Sequence, residues 1–249
     1  MADLPYGVAS GDVTTGSVTL WSWLHGHGTV EVCVSLDDAD VWKIVETVDE
    51  PGPRRWHVSG LQPGTAYRYR VRLGASTRAG VFRTLPTHGE LKFAVVSCAK
   101  FNSGYFNAYA RIAERNDLDF VLHLGDYIYE AGDTPLPGQA PGAGIGRTFD
   151  PVHACVSYED YTRRYAQYRS DPDVQALHAR HAVWATLDDH ELADNAFRHG
   201  AEAHDVERDG PWEDRQEAAL LAWHDWLPTM RRPGVDLDRG SRYRHHRAA

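Results

Sequence analysis

Over the first third of the chain, apolar and polar positions alternate. Residues 17–21, 30–36, 42–48, 55–61 and 66–73 are rich in β-branched and aromatic side chains, and Gly, Pro and Asp separate them. In residues 66–73, Tyr67, Tyr69, Val71 and Leu73 fall on one face and small or polar residues on the other, the period of two of a half-buried strand. The pattern predicts a small antiparallel β-sandwich. Around residues 85–89 it changes: from Leu91 onward, near-continuous apolar runs alternate with helical spacing, which points to an α/β layer with a partly parallel sheet. Residues 91–98 read as a buried strand and residues 119–126 as the next. Between them, residues 105–115 read as a helix that spaces Tyr105, Tyr109, Ile112 and Ala113 along one side. That is a βαβ unit.

Further on, Ser157 with Asp160 has the form of a capping box, and Asp171 before Pro172 opens another helix with Pro at its first position. Residues 182–187 form a third apolar strand, and residues 212–227 an amphipathic helix with Leu220, Trp223 and Leu227 on one stripe. Residues 131–156 are rich in Gly and Pro without periodicity, too long for a simple connection, and read as a flap over a site. The expected organisation is a β-sandwich over residues 1–87, the first part of an α/β domain over 88–232, and an irregular tail over 233–249.

Composition narrows the classes. Of 249 residues, 42 % are hydrophobic and 24 % charged, which is globular and not disordered. The net charge of −9 argues against a phosphate-backbone binder and fits an acidic site that takes up cations. Three cysteines without a CxxC pair give neither a disulfide framework nor a structural zinc site. No window is apolar enough to span a bilayer, and no basic stretch followed by an apolar run marks the N-terminus.

Chemistry concentrates just after the three apolar strands: Ser97-Cys98, then Gly125-Asp126-Tyr127-Ile128-Tyr129-Glu130, then Asp188-Asp189-His190-Glu191. Ligands of open α/β sheets gather outside the carboxyl ends of strands. A run of carboxylates there is costly unless something positive sits between them. Cys98, Asp126, Tyr129 and Asp189 together offer thiolate, phenolate and carboxylate donors, a set that suits a transition metal better than magnesium alone. Other conspicuous residues read as packing. Tyr158, Tyr161, Tyr165 and Tyr168 form a helical stripe, His123 a satisfied core histidine, and Cys33 a small buried hydrophobe, while His178 and His181 lack companions for a metal site. Cys155 lies in the flap and has no reading.

The runs from Ser97 to Glu130 and from Tyr161 to Asn195 resemble the alkaline phosphatase D (PhoD-like) family of metallophosphoesterases, as does the opening segment GVASGDVTTGSVTLWSWL. The resemblance spans most of residues 5–230. It implies a metallophosphatase-like α/β domain preceded by a fibronectin type III-like sandwich. The implied centre holds ferric iron and calcium and hydrolyses phosphate mono- and diesters of small molecules by metal-activated hydroxide. Carried over by motif, Cys98, Asp126 and Tyr129 would bind iron, Asp126 would bridge to a second metal, and Asp189 would be a further ligand, as would Asn195. His190, with Asp189 and Asp126, is implied in catalysis, facing the phosphate. Asp188 is implied as a carboxylate that orients a ligand or His190.

The family continues through a late motif that supplies further metal-binding histidine, whereas here the resemblance fades after Arg232. The expectation is therefore an incomplete fold with an open sheet edge and bare apolar surface, prone to self-association, and with reduced or no activity. Two other readings stand beside the phosphoesterase: a catalytically weak fragment of that family, and a carbohydrate- or surface-binding module. Family members are commonly exported by the twin-arginine route and no Arg-Arg signal precedes Pro5, so the compartment is left open.

Overall fold

The computed structural model describes residues 3–132 and 142–230. Seven strands come first: β1 (Val8–Gly11), β2 (Ser17–Leu24), β3 (Gly28–Leu36), β4 (Ala39–Val48), β5 (Gly52–Ser59), β6 (Ala66–Leu73) and β7 (Ser76–Arg83). Strands and helices then alternate: β8 (Phe93–Val96), α1 (Asn107–Ala113), β9 (Phe120–His123), α2 (Tyr158–Ser170), α3 (Pro172–Arg180), β10 (Ala182–Ala185), α4 (Val206–Asp209) and α5 (Trp212–Trp226). The five strands predicted before residue 87 are all present. The two that the pattern did not mark are β1 and β7. β1 is four residues long and buried on both faces, so it shows no alternation.

That short strand changes the architecture. One sheet of six strands runs in the order β5-β2-β1-β10-β9-β8, and a second of four runs β4-β3-β6-β7. In the first, β1, β10, β9 and β8 are parallel, while β2 and β5 are antiparallel. Ser10 pairs with Ala182 and Gly11 with Val183. The sandwich and the α/β layer thus share a sheet, where the sequence pattern suggested a sandwich that simply precedes an α/β domain.

The two faces of this sheet build two cores, and the strands feed them by alternation. Ala9, Trp21, Val121 and Val183 face the helices, packing with Tyr161, Tyr165, Tyr168, Leu177, Ala219 and Trp226. Their neighbours Val8, Leu20, Phe120 and Ala182 face the four-stranded sheet, packing with Val32, Tyr69 and Val71. Trp226 of α5 stacks on Trp23 of β2 at 4.1 Å between ring centroids, and Trp21 Nε1 donates to the Asp225 carbonyl oxygen. The tyrosine stripe is packing, as its spacing implied. Cys33 is buried in β3 as expected, and Cys155 is buried beside Glu130, whose carbonyl oxygen accepts its N–H.

Helix starts follow their caps. Ser157 and Asp160 form the capping box of α2, and the Asp171 side chain accepts the Asp173 and Val174 N–H groups at the start of α3. Two helical stripes differ from the pattern. α1 begins at Asn107, so Tyr105 lies outside it and is exposed, its hydroxyl turned to the Ile145 carbonyl. In α5 the expected stripe residue Trp223 is buried, as is Leu227 just after the helix, but Leu220 is only partly buried, and the buried face also takes in Trp212, Arg215, Ala219, Ala222 and Trp226. Small alanines let this helix approach closely while tryptophans at either end fill the gaps.

β8 also departs from expectation. It reads as buried, yet Phe93 and Val95 are exposed, because among the described residues β8 is the edge strand of the sheet. Phe93, Phe120 and Trp184 stack in a ladder, each step 4.8 Å, along this open face beside exposed Leu91 and Leu124. No helix of the described residues is long and apolar enough to cross a membrane. Of the flap, residues 133–141 lie outside the described residues, as does the tail predicted over 233–249.

Candidate metal centre

Because β8, β9 and β10 are parallel, their carboxyl ends lie on one side, and the three polar clusters meet there. Ligand atoms of Asp126, Asp189 and His190 lie within 4.8 Å of one another. Backbone bonds tie the loop after β8 to the loop after β9: the Cys98 N–H donates to the Gly125 carbonyl and the Ala99 N–H to that of Asp126, both at 3.3 Å. The loops after β9 and β10 are closer still. Gly125 has φ +106°, and a Cβ there would sit 2.4 Å from the Asp188 nitrogen, so no other residue fits.

Backbone strain concentrates at the same place. Among the described residues six non-glycines have left-handed φ, and three of them are Cys98 (57°), Asp126 (52°) and Asn195 (55°), all predicted ligands. Such conformations cost about 1–3 kcal/mol each and persist where the surroundings over-determine them. Asp126 is buried. Its Oδ2 accepts the Tyr129 hydroxyl at 3.1 Å, while its Oδ1 is buried with no hydrogen-bond partner. A carboxylate with an orphaned buried oxygen, close to a second carboxylate and an imidazole, is the environment a cation completes, so the residues fit a bound metal. Burial pushes the Tyr129 phenol well above its usual pKa, and Asp126 and Cys98, both hydrogen-bonded to it, push it further. Without a cation this phenol stays protonated, whereas metal binding would ionise it.

His190 packs its ring 4.1 Å from that of Tyr129 and hydrogen-bonds through Nδ1 to Glu130 Oε2 at 2.8 Å. Burial works to lower its pKa, but the Glu130 bond and the charges of Glu130, Asp126 and Asp189 outweigh it and hold it above the usual value. Two predicted residues are placed differently. Asn195 meets the centre through its backbone, its N–H donating to Asp189 Oδ2, while its side-chain amide donates to Glu202 at 2.8 Å. Of the two roles expected for Asp188, orienting a ligand or His190, the second falls to Glu130; Asp188 is exposed and contributes its N–H to Glu191.

Four residues that carry the site escaped the sequence pattern. Glu130 is 1 % exposed and also accepts the Asp194 N–H at 2.7 Å. Glu191 is fully buried. Burial lifts its carboxyl to about 7, against the pull of N–H groups from Asp188, Tyr127 and Asp126. Arg164, also fully buried, spends its guanidinium on backbone carbonyls of Tyr129, Ala131, Asp150, Pro151 and His153, above the Phe149 ring. Lys100 places its ammonium 5.5 Å from the Tyr129 ring centroid. The signal for the glutamates was the acidic end of each motif. For Arg164 and Lys100 nothing local marked them.

His123 is a core histidine, as expected: its Nε2 bonds the Tyr109 hydroxyl at 2.9 Å, and burial lowers its pKa to about 4. His178 is likewise buried, with Nε2 on the Tyr127 hydroxyl at 2.8 Å.

The family model for PhoD-like phosphatases matches residues 93–248, which hold every residue of this centre. The chain belongs to the PhoD-like phosphatase family. The match runs on through residue 248, beyond Arg232 where the resemblance was read as fading. The chain is 34 % identical over 244 residues to alkaline phosphatase D of Bacillus subtilis (strain 168), covering 89 % of this chain and 40 % of that protein. It also superposes on the structure of PhoD with a TM-score of 0.80 and 30 % identity, over 92 % of this chain and 47 % of that one. The chain thus spans less than half the length of these PhoD-like relatives.

Proposed function

We propose that the chain is a metal-dependent phosphoesterase acting on phosphate mono- and diesters of small molecules. The observation that carries this reading is the convergence of Asp126, Asp189 and His190 at the carboxyl ends of parallel strands, with Asp126 Oδ1 buried and without a hydrogen-bond partner. Cys98, Asp126 and Tyr129 would hold ferric iron, with Asp126 and Asp189 reaching a second cation, for which calcium is the family's choice. Bound there, the metals would polarise a phosphoryl oxygen and furnish a nucleophile at neutral pH.

The chain's own residues do the rest. His190, oriented by Glu130 and carrying a raised pKa, faces the phosphate with Nε2 and donates a proton or a hydrogen bond to an oxygen that gains charge. Lys100 adds positive charge beside Tyr129 for the phosphate oxygens. The N-terminal sandwich, read as fibronectin type III-like, is a buttress, supported by the pairing of β1 with β10 next to the site.

Hydrolysis of a chromogenic phosphodiester by the wild type and by Asp126→Ala and His190→Ala tests this reading. Turnover abolished by Asp126→Ala and lowered at least about 100-fold by His190→Ala is expected. Turnover indifferent to both overturns it.

A further inference from the structure

The geometry points to Glu191 as a positioning residue that clamps the two ligand loops together and brings Asp126 and Asp189 into convergence before any cation arrives. This rests on reading the site as a metal centre. Glu191 ends the Asp188-Asp189-His190-Glu191 motif, and its side chain is fully buried, bonded to backbone N–H groups of the two loops. Oε1 accepts the Tyr127 N–H at 2.6 Å and Oε2 accepts the Asp188 N–H at 2.8 Å. One carboxylate therefore joins the backbone just after Asp126 to the backbone just before Asp189.

The clamp sits where the two loops cross. Gly125 and Asp188 are in backbone contact there, and Asp126 is held in a left-handed conformation. Two like charges drawn together without a counter-ion repel each other, so in the absence of metal the loops need an independent tie. Glutamate is the residue that supplies it. A carboxylate has acceptor capacity at both oxygens, whereas Gln would turn an amide N–H₂ against one of the two backbone donors, and Asp is one methylene too short to reach across. Buried backbone N–H groups left unpaired are expensive, so the tie is strong.

Amide hydrogen exchange on metal-free protein tests this directly, together with titration of calcium followed by calorimetry. In the wild type, the Tyr127 and Asp188 amides are expected to exchange as slowly as core amides of β9, although both lie in loops. In Glu191→Gln both should exchange at least about tenfold faster while amides of β3 and β6 are unchanged, and calcium affinity should fall about tenfold or more. Fast exchange of both amides in the wild type overturns the clamp, a test that holds even where the variant does not fold. So does a variant with faster exchange but unchanged calcium affinity, which would make Glu191 merely structural. A wild type that protects both amides but takes up no calcium would leave the tie in place and remove the metal reading instead.

Discussion

The two ends of the parallel strands are built from the same residue types and behave differently. At the amino ends of β9 and β10, a cleft of about 350 Å³ is lined by charged side chains, among them Asp38, Arg68, Arg83, Asp119 and His181. Partners lie close to each: Arg68 Nη1 is 3.0 Å from Asp38, Arg83 Nε is 4.0 Å from Asp119, and His181 Nε2 meets the Ile112 carbonyl at 2.9 Å. At the carboxyl ends, Asp126 keeps a buried oxygen without a partner, and Cys98, Asp126 and Asn195 sit in strained backbone. Left-handed backbone occurs at both ends, since Asp37 and Asp38 of the cleft share it; what separates them is that charges are paired at one end and a buried carboxylate oxygen lacks a partner at the other. The proposed metal centre lies at the second, because a buried carboxylate oxygen without a hydrogen-bond partner is costly unless a ligand offsets it.

If that contrast is real, the same kind of substitution has opposite consequences at the two ends. The largest effect is expected from Arg164→Met, which leaves several of the five carbonyls under Tyr129, Ala131 and the 150–153 turn without donors. It should cost about 3–5 kcal/mol in chemical denaturation and abolish metal uptake. Next comes pH. His123 titrates near 4 when folded against about 6.5 unfolded, so it is neutral in the fold, and the unfolded chain gains the proton first. Its contribution to stability is complete above about 6.5 and is lost as pH falls through about 4, roughly 3 kcal/mol in all. Denaturation curves of His123→Gln should lose that part of the slope.

A smaller effect, of opposite sign, is expected from Cys98→Gly. Cys98 is exposed and left-handed, so glycine relieves strain without opening a cavity, and metal-free stability should rise by about 1 kcal/mol while iron uptake falls. The smallest is Arg83→Ala at the amino end, a part-exposed pair at 4.0 Å, expected to stay within about 0.5 kcal/mol and to leave activity alone.

Much of this molecule is legible in its sequence. The sandwich strands show the period of two because one face is solvated, and the caps at Ser157 and Asp171 are written in adjacent residues. Cys98, Asp126, Asp189 and His190 are legible because each follows an apolar strand. What the sequence hides is non-local. β1, four residues long and buried on both faces, has no period, yet it joins the two halves into one sheet. Arg164 lies 35 residues from Tyr129, and its role is set entirely by carbonyls that approach it in the fold. Asn195 and Asp188 share the motif's neighbourhood but not its geometry, since a turn that presents a backbone N–H to the site points the side chain elsewhere.

The central claim is that the carboxyl-end cluster holds metal, and the direct measurement is iron and calcium content by elemental analysis of the wild type and of Asp126→Asn. Asparagine tolerates the left-handed backbone at this position, so the variant should fold at least as stably without metal. The account predicts about one iron per chain in the wild type and little in the variant at equal thermal stability. Equal metal content in the two proteins, or none in either, would contradict it.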